Sequence, residues 1–305
     1  MAVSVGTSVA PQSAHEVLAR ARARAALIPD MLVEAQKIAN TLTSGWHGRR
    51  RRGTGDAFWQ FRPYDQGESM ARIDWRRTAR DDAITIRDQE WEAAHTVWIW
   101  ADPSPSMLYQ SETASVSKQS RALVLSLAIA EVLAKSGERV GWPGLTNAMT
   151  NRDSAERIAS ALMVDTRAAQ DNLPDAANMR SRSELVVVSD FLQPVSDILE
   201  WSEQIAKQRI RGSLVQIIDP AEERFPFSGR TEFEDPETGV RQTFGRAEGL
   251  SVDYMRLFNA RKEMLANQCR KLGWNHLVHH TDTLASGALV ALHGRLTGQM
   301  EVKGA

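Results

Sequence analysis

A carboxylate and two hydroxyls follow one another at alternate positions in the segment Asp102-Pro103-Ser104-Pro105-Ser106-Met107. This segment comes directly after His95 to Ala101, a largely apolar run that predicts a buried strand. Oxygen atoms at this spacing can surround one small cation, and Mg²⁺ prefers octahedral oxygen ligands with several retained waters. The string is short, and Asp or Ser after a strand is also an ordinary turn or helix N-cap residue, so both interpretations stay open.

A second carboxylate, Asp190, directly follows the Val-rich segment Glu184 to Ser189, which is the clearest buried strand in the sequence. In an open α/β sheet, ligand sites lie at the carboxyl ends of the strands. Asp190 is therefore expected at the same sheet edge as Asp102. The predicted metal ligands are Asp102, Ser104, Ser106 and Asp190, with Mg²⁺ as the ion and Mn²⁺ or Ca²⁺ as substitutes.

The proximity expected for Asp102 and Asp190 has a consequence for stability. Two like charges at one sheet edge repel each other when no metal lies between them. The substitution Asp190→Asn is therefore predicted to leave the metal-free protein folded and slightly more stable.

Several common chemistries lack their sequence motifs in this chain. The sequence contains no Gly-x-x-x-x-Gly-Lys-Ser/Thr, Gly-x-Gly-x-x-Gly, Gly-x-Ser-x-Gly or His-Glu-x-x-His. These motifs support phosphate cradling, dinucleotide binding, ester hydrolysis and zinc-dependent proteolysis respectively. The sequence therefore gives no support for an ATPase, a dinucleotide enzyme or an esterase of the usual kinds.

The elements that must position these residues alternate between strand and helix patterns. The predicted strands are His95–Ala101, Arg139–Trp142, Glu184–Ser189, Ser213–Ile218 and Asn275–His280. The predicted helices are Lys118–Lys135, Ser154–Met163, Val195–Gln208, Val252–Leu272 and Leu284–Leu296. Continuous Val, Ile and Leu runs separated by helices indicate a parallel sheet that is covered on both faces. The predicted fold class is α/β, with a Rossmann-like, doubly wound, mostly parallel sheet.

The sequence divides into three predicted segments. Residues 1–48 form an N-terminal tail and two helices, because the helical apolar spacing of Ala14 to Thr43 is interrupted by Pro29. Residues 49–92 form a small β-rich module with short strands. Residues 93–305 form the α/β domain, in which the Pro-, Gly- and Phe-rich stretch at 220–245 predicts a hairpin excursion.

The composition is that of an ordinary globular protein. The 305 residues are 42% hydrophobic and 25% charged, which excludes a wholly disordered chain. The formal net charge of -1 gives no case for a bulk nucleic-acid binder, although a local basic patch is compatible with it. Cys269 is the one cysteine, so neither an internal disulfide nor a Cys-based zinc cluster can form. No apolar stretch approaches the roughly 20 residues of a membrane span, and no secretory signal is visible. A cytoplasmic protein without a membrane span is expected.

The basic run Arg49–Arg52 allows a nucleic-acid interpretation, because aromatic residues such as Trp46, Phe58 and Trp59 lie close to it in the sequence. Residues 45–90 also contain eight acidic residues, which nearly balance the arginines. A solvated or acid-paired basic run is the favoured interpretation, and nucleic acid is an unlikely partner.

The motifs resemble those of a known family. Asp102-x-Ser104-x-Ser106-Met107 resembles the metal-ion-dependent adhesion site (MIDAS) of von Willebrand factor type A domains. The flanking motifs, in the same order, resemble bacterial domain-of-unknown-function-58 (DUF58) proteins. These motifs are Arg62-x-Tyr64-x-x-Gly67, Arg72-Ile73-Asp74-Trp75, Thr78-Ala79-Arg80, Ser189-Asp190-Phe191, Asp219-Pro220-x-Glu222 and Asp235-Pro236-Glu237-Thr238-Gly239. The resemblance covers about residues 45–245.

The resemblance implies a von Willebrand A-like fold with an appended N-terminal module. It also implies association with a MoxR-type AAA+ ATPase. In adhesion-site domains a threonine from another loop completes the metal site. Thr146 and Thr150 lie in the corresponding interval, but neither has the usual Gly-x-Thr setting. Gly67-Glu68 also stands where the family has Gly-Asp.

The function expected from these observations is that of a non-enzymatic interaction protein. Mg²⁺ at the predicted site leaves one coordination position that a partner carboxylate fills, and the partner is the MoxR-type ATPase or its client in protein assembly or chaperone-like work. One alternative is a metal-dependent hydrolase at the same aspartates, although two-metal hydrolysis needs more carboxylates than the sequence places there. Another is nucleic-acid binding through Arg49–Arg52.

Overall fold

The computed structural model describes residues 14–45, 58–64, 73–80, 84–89, 95–165 and 173–297. The described residues form two compact units. Those within 1–44 and 96–305 form the larger unit, and those within 45–95 form the smaller one.

The smaller unit is built on an antiparallel strand pair. β1 (Phe58–Pro63) pairs with β2 (Thr85–Gln89), with a register shift between Phe58 and Gln60. A short helix, α2 (Trp75–Thr78), lies between them in the sequence. The basic run Arg49–Arg52 lies outside the described residues.

The larger unit begins with one long helix where the sequence predicts two. α1 (Ala14–Gly45) continues through Pro29, which interrupts helical hydrogen bonding but does not end the helix. Ile28, Met31 and Ala35 are buried in the core of the larger unit. Burial of one apolar face on both sides of the proline stabilises the continuous helix, because tertiary packing contributes more to helix stability than local propensity does.

The α/β prediction is confirmed by the rest of this unit. The strands are β3 (Thr96–Ala101), β4 (Arg139–Trp142), β5 (Thr146–Met149), β6 (Glu184–Ser189), β7 (Arg211–Ile218) and β10 (Asn275–His280). They form one sheet in the order β10-β7-β6-β3-β4-β5, and every neighbouring pair except β4 and β5 is parallel. The antiparallel edge strand β5 is missed by the sequence patterns, because its residues are polar or only half-buried.

Helices flank this central sheet. They are α3 (Lys118–Lys135), α4 (Ser154–Val164), α5 (Val195–Lys207), α7 (Ser251–Leu272) and α8 (Ala285–Leu296). α3 contacts α4 and α8, and α5 contacts α7. The strand residues Leu185 to Val188 are completely buried, as expected for a parallel strand with helices over both faces.

Residues 220–245, for which the sequence predicts a hairpin excursion, form a short helix and a hairpin. α6 (Pro220–Arg224) begins at Asp219, whose side chain caps it. β8 (Thr231–Glu234) and β9 (Arg241–Phe244) then pair antiparallel. The Phe225 ring lies 5.2 Å from that of Phe227 and 5.9 Å from that of Phe233, measured between centroids, so aromatic contacts give this excursion a small core.

Candidate functional site

Three adjacent parallel strands of the central sheet are each followed directly by an aspartate. β3 is followed by Asp102, β6 by Asp190 and β7 by Asp219. All three side chains are buried. The edge predicted from the sequence to hold Asp102 and Asp190 therefore holds a third aspartate, which the same signal, an acid directly after a buried strand, identifies.

Asp102 is held by the loops that follow β3 and β6. Its Oδ1 accepts a hydrogen bond of 2.8 Å from the backbone N–H of Ser104. Its Oδ2 accepts one of 2.6 Å from the Ser189 hydroxyl and one of 3.1 Å from the Gln193 side-chain amide. Burial, followed by the negative charge of Asp190, raises the pKa of Asp102 to about 6, although the hydrogen bonds oppose this shift.

The two serines predicted as ligands lie beside this carboxylate. Ser104 precedes and Ser106 lies within a 3₁₀ turn at Pro105–Leu108, and both serine side chains are buried. Their hydroxyl oxygens are 3.1 Å apart. The structure therefore brings Asp102, Ser104 and Ser106 together, as the sequence predicts.

Glu237, in the turn between β8 and β9, also reaches this group. Its Oε1 accepts a hydrogen bond of 3.0 Å from the backbone N–H of Ser106. Asp235 shapes the turn, since its side chain accepts hydrogen bonds from the Glu237 N–H and the Thr238 hydroxyl at 3.0 and 2.6 Å. Burial raises the pKa of Glu237, and the charges of Asp190 and Asp235 add to that shift. Sequence reasoning treated this segment only as a family motif and missed the contact.

Asp190, the fourth predicted ligand, is engaged by an amine. Lys118 Nζ, at the start of α3, lies 2.8 Å from Asp190 Oδ2 and 2.5 Å from Glu222 Oε1. Burial lowers the pKa of Lys118, but the two carboxylates outweigh burial and raise it overall. Burial raises the pKa of Glu222, and the Lys118 charge opposes that shift. Lys118 was missed by the sequence analysis; a lysine beginning an otherwise apolar helix is the signal that could have found it.

Asp219 has a structural role. One of its oxygens accepts a 2.9 Å hydrogen bond from the Ala221 N–H, and the other accepts one of 2.9 Å from the Ser111 N–H. Its own N–H donates to Glu222 Oε2 at 2.9 Å, which completes a capping box. Asp219 therefore fixes the start of α6 and orients Glu222 toward Lys118.

The charges in this cluster do not balance. The carboxylates of Asp190 and Glu222 contact the Lys118 ammonium, and the charge of Asp190 also acts on Asp102, on Glu237 and on the Arg261 guanidinium. The donor set next to Asp102 consists of hard oxygens, which suits Mg²⁺. The described residues contain no group of three or more His, Cys, Asp and Glu placed to hold a metal ion, so a cation here would use one carboxylate with two hydroxyls.

The two threonines considered as further ligands lie near β5. The Thr146 hydroxyl accepts a hydrogen bond of 3.0 Å from the Trp142 N–H, which closes the turn between β4 and β5. Thr150 is exposed just after β5. The Thr146 hydroxyl therefore has a structural role in the turn between β4 and β5.

A cavity of about 520 Å³ opens next to Ser106 and Lys118, between the hairpin and α7. Most of its lining is aromatic or aliphatic. The lining residues are Ser106, Tyr109, Lys118, Leu192, Glu222, Phe225, Phe227, Phe233, Glu234, Pro236, Phe244, Leu250, Asp253, Tyr254 and Leu257. Sequence analysis did not identify this cavity, although the phenylalanines between 225 and 244 are its main signal.

Comparison with known protein families agrees with the family resemblance that the sequence motifs indicate. Residues 60–264 match the family described as "Protein of unknown function DUF58". The chain belongs to the DUF58 family. In this DUF58 protein the matched region contains Asp102, Ser104, Ser106, Lys118, Asp190 and Glu237. The matched region thus includes every residue of the candidate site.

Distant relatives of this DUF58 protein occur in mycobacteria. It is 26% identical over 245 residues to uncharacterized proteins of Mycobacterium tuberculosis and Mycobacterium bovis, covering 75% of this chain and 76% of each relative. Two solved structures, each 14% identical, are similar at a lower level. One is the conserved hypothetical protein BatB from Bacteroides thetaiotaomicron, with a TM-score of 0.37, covering 68% of this chain and 98% of that one. The other is an aerotolerance-related membrane protein from Bacteroides fragilis, with a TM-score of 0.39, covering 67% and 100%. TM-scores this low do not establish a common fold.

The helices of the described part of this DUF58 protein include none that combines the length and apolar character needed to cross a membrane.

Proposed function

We propose that this DUF58 protein is a non-enzymatic interaction protein with a von Willebrand A-like domain, whose adhesion-type site binds Mg²⁺. In this proposal Asp102, Ser104 and Ser106 hold the ion, and Asp190 contributes through its charge. A carboxylate of the partner fills the remaining coordination position, so that partner binding depends on the metal. The partner class is a MoxR-type AAA+ ATPase or a client of that ATPase.

The observation that carries the proposal is the meeting of the buried Asp102 carboxylate with Ser104 and Ser106, whose hydroxyl oxygens are 3.1 Å apart. Burial and the Asp190 charge make the ionised form of Asp102 costly. A divalent cation between Asp102 and the serine hydroxyls would remove that cost, because it favours the ionised carboxylate. The same excess of negative charge would attract a cation to the site.

Lys118 sets the strength expected of this site. Its ammonium already neutralises part of the charge of Asp190, at 2.8 Å. Asp190 is therefore a weaker ligand here than it would be without the lysine. We expect millimolar rather than micromolar affinity for Mg²⁺, as suits an ion that is fully bound only when a partner completes its shell.

The expectation of a partner ATPase rests on the family resemblance and on the absence of a phosphate-cradling motif in the sequence. Energy for an assembly reaction would then come from another chain. The carboxylate that completes the metal shell would come from that chain or from its client.

Titration of Mg²⁺ into the purified protein by calorimetry tests the metal part of this proposal. We expect weak binding that Asp102→Ala abolishes. The matched control is Asp197→Ala, which changes an exposed acidic residue in the first turn of α5. Identical titrations of wild type and Asp102→Ala at millimolar Mg²⁺ would contradict the proposal.

A further inference from the structure

The cavity between the hairpin and α7 has largely apolar walls. Phe225 is buried, and its ring centroid lies 4.8 Å from that of Tyr254 on α7. The ring centroids of Phe233 and Phe244, which lie on opposite strands of the hairpin, are 5.9 Å apart. A volume of about 520 Å³ between such walls is more than one water molecule needs and suits a large apolar group.

Exposed apolar side chains lie on the lining of this cavity. Leu257 of α7 is 64% exposed, and Leu192 after β6 is 44% exposed. Tyr109, which also lines the cavity, is 36% exposed. Apolar surface that continues from a cavity onto the outer face is typical of sites that bind another protein.

The charged side chains of the cavity are mostly acidic. Three carboxylates line it, those of Glu222, Glu234 and Asp253, whereas Lys118 is the one basic residue among the described residues of the lining. The Lys118 ammonium is also paired with Asp190. Glu234 and Asp253 have arginine neighbours, at 2.9 and 3.3 Å, but both pairs are highly exposed. Exposed ion pairs contribute little and exchange partners readily, so these carboxylates are accessible to a cation from outside.

The protein itself shows how an alkyl-ammonium group is bound here. The Lys118 ammonium lies 2.5 Å from Glu222 and 5.7 Å from the centroid of the Tyr109 ring. An aliphatic stem, a carboxylate and an aromatic ring thus already combine on one wall of the cavity. A cationic group is attracted both by the carboxylate and by the face of an aromatic ring.

We propose that this cavity binds a segment of a partner protein in which a bulky apolar side chain is next to a lysine or arginine. The apolar side chain enters between Phe233, Phe244 and Leu257. The basic side chain reaches the carboxylates at the rim, Glu234 and Asp253. Charge complementarity and the exposed apolar margin together select this partner chemistry over an acidic segment or a small neutral ligand.

This binding mode needs no metal and goes beyond the proposed function. The Mg²⁺ site would hold a partner carboxylate through Asp102 and the serines, whereas the cavity would hold an apolar and basic segment of the partner. Either proposal can therefore be wrong while the other holds. Measurements in EDTA remove Mg²⁺ and so report binding at the cavity alone.

The test uses three acetylated and amidated pentapeptides with the core Leu-Phe-X, where X is Lys, Gln or Glu. Their binding to the full chain is measured by calorimetry in EDTA at low salt. We expect the Lys peptide to bind about tenfold more tightly than the Glu peptide, with the Gln peptide between them. Raising the salt concentration should reduce this difference, because screening weakens exposed charge interactions.

Two lysine substitutions on α7 provide the matched comparison. Leu257→Lys adds a positive charge to the cavity lining, and Val252→Lys adds the same charge at a residue that is 80% exposed and does not line the cavity. We expect Leu257→Lys to weaken binding of the Lys peptide about tenfold and Val252→Lys to change it less than about twofold.

Three results would overturn the inference. The first is equal or tighter binding of the Glu peptide, which would point to an acidic partner. The second is equal affinity for Leu257→Lys and Val252→Lys, which would place binding elsewhere. The third is no binding of any of the three peptides at millimolar concentration. None of these results depends on whether Mg²⁺ binds at Asp102.

Discussion

Lys118 Nζ lies 2.8 Å from Asp190 Oδ2, and the side chains of both residues are almost completely buried. A buried charge is costly unless it is paired, so each residue depends on the other. The ion pair also ties the start of α3 to the carboxyl end of β6. It is therefore both a structural contact and the main limit on how strongly Asp190 can attract a metal.

The substitution Asp190→Asn is expected to destabilise the protein. The sequence alone predicts slight stabilisation, because it shows the repulsion from Asp102 but not the attraction of Lys118. With the buried lysine taken into account, the sign reverses, and the free energy of unfolding should fall by about 2 kcal/mol, less than for a lone buried pair since Glu222 remains. Urea denaturation of the metal-free protein measures this change, and increased stability would show that the repulsion dominates.

Lys118→Met is expected to have a larger effect. Methionine keeps most of the length of the side chain but leaves the carboxylates of Asp190 and Glu222 without their shared cation, at a cost of about 3–5 kcal/mol. The matched control is Lys262→Met, which removes a half-exposed lysine that contacts Glu223 at 2.8 Å. That change should cost less than about 1 kcal/mol, as usual for surface pairs. Similar losses for the two variants in urea denaturation would contradict our account of the buried pair.

The contribution of Asp102 to the stability of the metal-free protein should fall as the pH rises from about 4 to about 6. The pKa of Asp102 is about 6 in the folded state, above the value of about 3.9 in an unfolded chain. The folded state therefore binds more protons in this range, and ionisation of Asp102 costs up to about 3 kcal/mol of unfolding free energy by pH 7. Denaturation curves across this pH range measure the effect.

Comparison with Asp102→Asn isolates this contribution. Burial also raises the pKa of Glu184 to about 7, which acts in the same direction, and lowers the pKa of His276 and of His279 to about 4, which acts in the opposite direction. The difference between wild type and Asp102→Asn should therefore carry the pH dependence that belongs to Asp102. Millimolar Mg²⁺ should reduce that difference if the ion binds there, whereas parallel curves for the two proteins at all pH values would be inconsistent with a raised pKa.

Complex formation with a MoxR-type ATPase should depend on the two serines. Ser104→Ala and Ser106→Ala each remove one neutral ligand, so each should weaken a Mg²⁺-dependent complex by less than Asp102→Ala does. Co-purification with and without EDTA measures the complex. The ATPase needs Mg²⁺ for its own nucleotide, and the serine variants control for this because they leave the ATPase unchanged. A real complex that forms equally well with both serine variants would place the contact on another surface.

The positions of Asp102 and Asp190 could be predicted from the sequence because the signal is local. Each follows a continuous apolar strand, and parallel strands place their carboxyl ends at one edge. The contacts of Lys118 and Glu237 could not be predicted in this way, because they depend on how α3 and the hairpin pack against the sheet. Pro29 shows the same limit: local propensity predicts a helix end there, whereas packing of Ile28 and Met31 maintains the helix.

The contacts of the candidate site also determine when it can form. Asp102 and Ser104 are neighbours in sequence, but Lys118 finds Asp190 across 72 positions and Glu222 across 104. Ser106 meets Glu237 across 131 positions. Contacts of such long range must overcome more loop-closure entropy than the local contact between Asp102 and Ser104. During synthesis, the Lys118 ammonium therefore cannot meet its partners until the residues after β6 and those of α6 have been made. The site is completed only when the hairpin has emerged and folded back.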